Sequence, residues 1–197
     1  MIRLAVLLSG SGRTLQNFID RIKAGTFDAT IEIVISSKEG VQGIDRARSA
    51  GIPTVVIPRR NYPSDREFSE AVTQALRKAQ FDLIALAGFV HLYHFPGEWR
   101  GKVLNIHPAL LPKYGGKGYY GHRVHEAVLR SKDIESGCTV HFADSAYDTG
   151  PIILQKRVPI HRGDTPELLA ARVFEAECQA YPEAIEQVAR GRVKFSP

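Results

Sequence analysis

The chain has 197 residues, 44% of them hydrophobic and 24% charged, the balance of one compact globular domain or of a domain with a small appendage. Its longest apolar run, Leu83 to Val90, contains Gly88 and is too short to cross a bilayer, and two cysteines without CxxC spacing suit reduced thiols, so neither a membrane span nor a signal peptide is expected and the cytoplasm is the expected compartment. A formal charge of +5, with Lys and Arg scattered among Asp and Glu, argues against a nucleic-acid surface and fits anionic small molecules.

From the N-terminus, Ile2 to Leu8 is a short apolar run suited to a buried strand, and Ser9-Gly10-Ser11-Gly12 cuts it off. From Thr14 the period becomes three and four, with Leu15, Phe18, Ile19 and Ile22 on one face, which predicts an amphipathic helix ending near Gly25. The alternation continues with strand Ile31 to Ser36, helix Gly43 to Ala50 closed by Gly51, strand Thr54 to Ile57, helix Ser64 to Ala79 and strand Phe81 to Ala87. Strands alternating with helices imply βαβ crossovers and a parallel sheet covered on both faces.

The second half changes rhythm. A strand over Val103 to Ile106 is followed by an irregular loop rich in Pro108, Pro112, Gly115, Gly116, Gly118 and Gly121, then by a helix from about His122 to Ser131. Cys138 to Ala143 and Ile152 to Pro159 read as two strands close enough to pair antiparallel. Thr165-Pro166 supplies an N-cap and a first-position proline for a last helix running towards Val188, with Pro182 as an expected kink. The fold class expected is α/β: a Rossmann-like, mostly parallel sheet with helices on both faces and an antiparallel strand addition in the C-terminal half. It is read as one domain over 1–197, an N-terminal part ending near residue 100 and a C-terminal part from there on.

Three constellations carry chemistry. The turn Ser9 to Thr14 points backbone N–H groups outward at a helix start, which suits a phosphate dianion, although such a turn also serves simply to reverse the chain. It lacks the GxGxxG spacing of dinucleotide sites and the lysine of a P-loop. Asn105 and His107 end a strand, and alternation places them on one side, where a carboxamide and an imidazole can hold an oxyanion and handle a proton. The plainer alternative is a polar pair satisfying loop backbone. Asp148, in the turn Tyr147 to Pro151, is either an Asx-type loop residue or the carboxylate that orients His107; Asp144 and His141 rank behind it. The pairs His91/His94 and His122/His125 lack a third ligand in a zinc frame, no GxSxG elbow is present, and neither cysteine sits in a nucleophile motif, so no metal and no covalent intermediate are expected.

In order, LLSGSGRTLQ from Leu7, LIALAGFV from Leu83, LNIHPALLPKYGG from Leu104, GCTVHFADSAYDTGPIILQ from Gly137 and AECQAYP from Ala176 resemble the folate-dependent formyltransferases, specifically the phosphoribosylglycinamide formyltransferase family of purine synthesis. The resemblance covers nearly the whole chain and is most specific in NIHPALLP combined with DTGPIILQ. It implies a Rossmann-like sheet and direct formyl transfer from 10-formyltetrahydrofolate as co-substrate to the amine of a phosphorylated ribosyl glycinamide. The family's catalytic Asn, His and Asp fall on Asn105, His107 and Asp148. Gly10, Ser11, Gly12, Arg13 and Thr14 would hold the acceptor's phosphate, and Glu177 its ribose or glycinamide side. Arg66 would face the folate tail, while Val90, His91, Leu92 and Tyr93, with Asp144, Ser145, Ala146, Tyr147 and Asp148, would enclose the pteridine largely through backbone groups; Asn105 also counts among the folate contacts.

Two segments depart from the family pattern. Lys117 to His125 is longer than the usual short PG-x-H linker, and the stretch between Phe89 and Asn105 is slightly short. Alternatives of other kinds are a formyltetrahydrofolate deformylase, which adds an N-terminal regulatory domain, and a non-catalytic phosphate- or folate-binding module. Methionyl-tRNA formyltransferases add a C-terminal RNA-binding domain; with the chain opening on its first strand and closing at Pro197, neither addition is expected. The expected assembly is a monomer or homodimer acting on small molecules, without nucleic acid or membrane.

Overall fold

The computed structural model describes residues 1–196, which form two compact units divided between Leu104 and Asn105. The first unit contains β1 (Ile2–Leu8), α1 (Arg13–Lys23), β2 (Ala29–Ser36), α2 (Gln42–Ser49), β3 (Thr54–Val56), α3 (Asp65–Leu76) and β4 (Leu83–Leu86). Its strands lie in the order β3-β2-β1-β4, and β1 pairs in parallel with both β2 and β4. A strand flanked on both edges and covered on both faces has no polar side, which is why Leu4 to Leu8 form an unbroken, fully buried apolar run. The helices of this unit bury Leu15, Phe18 and Ile19 of α1, Ile44 and Ala47 of α2, and Phe68, Val72 and Leu76 of α3.

Two boundaries differ from expectation for local reasons. Helix α3 starts at Asp65 because the Ser64 hydroxyl caps it, accepting the Glu67 N–H at 3.2 Å, and it ends at Leu76, short of the expected Ala79. Strand β2 starts at Ala29, where pairing with Ile2 extends it beyond the apolar run that begins at Ile31.

Strand β5 (Val103–His107) carries the chain across the division between the units. The second unit continues with α4 (His122–Ser131), β6 (Glu135–Phe142), β7 (Ile152–Pro159) and α5 (Pro166–Ala189). Its strand order is β5-β6-β7, and β6 and β7 are antiparallel, with Cys138 opposite Lys156 and Thr139 opposite Gln155. Helix α5 packs on β6 and β7 through residues that include Leu169, Val173, Ala180 and Tyr181, and it passes Pro182 without ending. The class is therefore the expected one: α/β and Rossmann-like, parallel in the N-terminal half with an antiparallel addition in the C-terminal half. Among the described residues, no helix is long and apolar enough to cross a membrane.

Candidate active site

In the second unit, alternation along β5 puts Asn105 and His107 on one side, and both reach the same carboxylate. Asn105 Nδ2 is 3.2 Å from Asp148 Oδ1, and His107 Nδ1 is 3.4 Å from Asp148 Oδ2. Asp148 sits in the β6–β7 connection at φ 58°, a left-handed conformation that Asp tolerates better than most residues. That turn aims its carboxylate inward, where the side chain is 9% exposed. The Gly116 N–H donates to Oδ2 at 3.0 Å.

The same loop holds the histidine. His107, 3% exposed, has Nε2 2.7 Å from the Tyr114 carbonyl oxygen; since a carbonyl only accepts, Nε2 carries the hydrogen. Tyr114 is itself held at φ 56°, with its hydroxyl donating to Asp133 at 2.8 Å. A third imidazole, His141 on β6, places Nε2 3.1 Å from Asn105 Nδ2 and 3.5 Å from Asp148 Oδ1.

Burial pushes the Asp148 carboxyl up, but the hydrogen bonds and neighbouring positive charge around it, the Gly116 N–H among them, outweigh burial and leave the group below its ordinary value, so it is ionised. For His107 the balance runs the other way: burial lowers its pKa, and the negative charge of Asp148 only partly restores it. The site thus pairs a buried carboxylate with an imidazole whose protonated form burial opposes and that carboxylate favours.

A formyl transferase model matches residues 2–185. The chain belongs to the formyl transferase family. Among its relatives is the chicken trifunctional purine biosynthetic protein adenosine-3, 44% identical over 98% of this chain, although the chain spans only 19% of that protein's length. The phosphoribosylglycinamide formyltransferase of Haemophilus influenzae is 40% identical over 99% of this chain and 91% of its own. Among solved structures, glycinamide ribonucleotide transformylase 1 from Symbiobacterium toebii superposes with a TM-score of 0.91 at 38% identity, covering 100% of this chain and 91% of that one.

In this formyl transferase the glycine loop belongs to the first unit and is braced by α2. Arg46 Nε donates to the Ser11 carbonyl at 2.9 Å, and the Gly43 N–H donates to the Gly10 carbonyl at 3.1 Å. Gly12, at φ 69°, is the N-cap of α1 and, having no side chain, contributes no side-chain hydrogen bond to the helix's first turn. A Cβ on Gly12 would stand 2.6 Å from the Gly43 Cα, whereas one on Gly10 would meet nothing within 4 Å. Gly12 is therefore required by the close approach of α1 and α2 as well as by the turn.

The remaining first-unit residues divide between surface and core. Arg66 is exposed on α3, and Val90 is 45% exposed, with its N–H donating to the Ser9 hydroxyl at 3.1 Å. His91 is half-buried with its ring against those of Phe68 and Phe89, at 5.6 and 5.9 Å, and burial lowers its pKa. Leu92 is half-buried, while the Tyr93 side chain is in the core, its hydroxyl 2.9 Å from that of Thr73.

In the second unit, Asp144 Oδ1 accepts from the Ala146 N–H and the Thr149 hydroxyl, at 3.1 and 2.6 Å, which makes Asp144 a turn-building residue. Ser145 and Ala146 are exposed and Tyr147 is half-buried. Glu177 is half-buried on α5; after burial, its charge is the next cause that pushes the Cys138 thiol up to about 12. Among the described residues, no group of three or more His, Cys, Asp or Glu is arranged to hold a metal ion. The sequence places His141 behind Asp148 and does not point to Tyr114, whose contribution is a backbone carbonyl that no residue type announces. The double glycine 115–116 was read only as loop, and a donor for Asp148 was hidden in it.

Proposed function

We propose that this formyl transferase moves the formyl group of 10-formyltetrahydrofolate to the amine of N1-(5-phospho-β-D-ribosyl)glycinamide in de novo purine synthesis. The observation that carries this reading is the convergence of Asn105 and His107 on Asp148. As the amine attacks the formyl carbon, the carbonyl oxygen becomes an oxyanion, and N–H groups of Asn105 and His107 are donors of the kind that stabilises it. At rest those donors are occupied by His141, Asp148 and the Tyr114 carbonyl, so they are kept satisfied until substrate replaces an acceptor.

Formyl transfer forms one C–N bond and breaks another. The attacking amine loses a proton and the departing folate nitrogen gains one, so no net proton is consumed. His107 can carry that proton because Asp148 stabilises the imidazolium while it exists.

In the first unit, Gly10, Ser11, Gly12, Arg13 and Thr14 bind the acceptor phosphate, a reading supported by the glycine-rich turn that leads from β1 into the N-terminus of α1. Arg66 faces the folate tail, and Val90 to Tyr93 contribute folate contacts, Tyr93 through its backbone because its side chain is buried. In the second unit, Asn105 and Asp144 to Asp148 contact the folate, and Glu177 contacts the acceptor. The enzyme is read as cytoplasmic, metal-free and active as a monomer or homodimer, without nucleic-acid partners. Formyl transfer from 10-formyltetrahydrofolate to the ribonucleotide, with formate release followed in parallel, tests the reading. Formate release without a formylated acceptor would make it a hydrolase, and absence of both would remove the catalytic reading.

A further inference from the structure

We infer that His141 is a positioning residue for this reaction, whose Nε2 lone pair fixes which end of the Asn105 carboxamide faces the reacting oxygen. The inference rests on the proposed formyl transfer and assigns a role that its Asn, His and Asp leave open.

The assignment follows from donors and acceptors. His141 is 1% exposed, and its Nδ1 lies 2.8 Å from the Phe142 carbonyl oxygen, which can only accept; Nδ1 therefore carries the hydrogen. On the other side, the Asn105 atom nearest His141 is also 3.2 Å from Asp148 Oδ1. A carboxylate accepts, so that atom is the amide nitrogen; turning the carboxamide over would set oxygen against oxygen. With NH2 facing it, His141 Nε2 must present a lone pair. Asp148 needs no proton from His141, since Asn105 already donates to Oδ1 and Gly116 to Oδ2. His141 is thus a neutral imidazole locked in its Nδ1–H form, and it accepts one of the two Asn105 N–H groups.

That bond has a catalytic consequence. A developing oxyanion is a stronger acceptor than a neutral imidazole, so the N–H held by His141 is the one that passes to the formyl oxygen in the transition state. Without His141, Asp148 alone among the described residues restrains the carboxamide, and the oxygen end can turn towards the reacting carbonyl, where it repels the charge it should stabilise.

The test combines kinetics with direct observation of the ring. His141→Leu is expected to lower kcat by about tenfold to a hundredfold while leaving the KM of both substrates within about twofold. His141→Gln places an acceptor where Nε2 stood and is expected to recover most of the loss. In an Asn105→Ala background, His141→Leu is expected to cost nothing further, because it acts through the missing amide. Normal turnover of His141→Leu beside a slow Asn105→Ala enzyme would overturn the positioning role and leave the proposed function standing. Normal turnover of both would overturn the two together. Nitrogen NMR of the histidine-labelled wild-type protein is expected to find His141 protonated at Nδ1 alone at assay pH; a proton on Nε2 would overturn the inference even if the leucine variant failed to fold.

Discussion

The His107 ring is held from both ends, with Nδ1 3.4 Å from Asp148 Oδ2 and Nε2 2.7 Å from the Tyr114 carbonyl. Burial depresses the histidine and the carboxylate opposes that depression, so the protonation equilibrium of the ring depends on Asp148. Replacing Asp148 with Asn keeps the size of the side chain and removes the charge that favours imidazolium, so the pKa of His107 falls further. The kinetic limb belonging to His107 is expected to move to lower pH, and turnover to fall by about a hundredfold or more with little change in substrate affinity. Rate–pH profiles of the two enzymes, under conditions where chemistry limits, check this; coincident profiles would reduce Asp148 to a turn residue.

His107→Ala and Asn105→Ala are each expected to lower turnover by about a hundredfold or more, since proton handling and oxyanion donation act on that scale. The donors act on charge that exists only in the transition state, so KM is expected to change little. For Asn105→Ala, a loss confined to acceptor affinity would turn it into a binding residue.

The glycine loop separates packing from binding. Gly12→Val is expected to destabilise the fold by about 2 kcal/mol or more, because it combines a positive φ with overpacking against α2. Gly10→Ala meets open space and is expected to leave Tm unchanged while weakening acceptor binding, by crowding the backbone N–H groups proposed to take the phosphate. Calorimetry and acceptor titration of the two variants distinguish these effects, and full acceptor affinity in the Gly10 variant would place the phosphate elsewhere.

A pH-dependent contribution to stability sits between β7 and α5. Asp164 accepts from both Arg172 terminal nitrogens, at 2.7 and 3.0 Å, and from the His161 N–H at 2.8 Å. Arg172 foremost brings its pKa from 3.8 down to about 2. A folded value below the unfolded one stabilises above the unfolded value, and that stabilisation is lost as pH falls towards the folded value. Asp164 lies in a surface loop where water screens the pair, so the pair contributes on the order of 1 kcal/mol. Asp164→Asn is expected to be less stable by this order at neutral pH, with the gap closing below about pH 4 and absent near pH 2. Urea denaturation across that range checks it; a gap independent of pH would remove the charge from the explanation.

Much of this was legible in the sequence where a single physical rule governs. The bounds of β1, α4 and β7 coincide with the apolar run, the helical period and the proline-delimited strand that predict them. Strand β6 does not: it begins at Glu135, three residues before the expected Cys138. The strand runs through Gly137, where a Cβ would collide with the Lys156 backbone carbonyl of β7. In the site, alternation was enough to pair Asn105 with His107, since it is a property of one strand. Their meeting with Asp148 depends on a turn that reverses β6 into β7, and the grip of Tyr114 on His107 depends on a carbonyl, which every residue has. Such contacts are set by tertiary placement and leave no local periodicity to read.

The clamp over the site ends at Gly116. Tyr114 supplies its carbonyl to His107 and Gly116 its N–H to Asp148, while between them a Cβ on Gly115 would press on Leu111 Cδ2 at 2.5 Å and crowd Asp148 Cβ at 3.3 Å. Immediately afterwards, Lys117 to Tyr120 lie exposed, and this is the start of the stretch whose length departs from the family pattern. The boundary between these segments separates backbone that holds the site from backbone that is exposed: up to Gly116 the loop is tied to His107 and Asp148, and from Lys117 to Tyr120 it faces solvent. Loop grafts that begin at Lys117 are therefore the natural place to diversify this enzyme, and grafts that begin two residues earlier dismantle it.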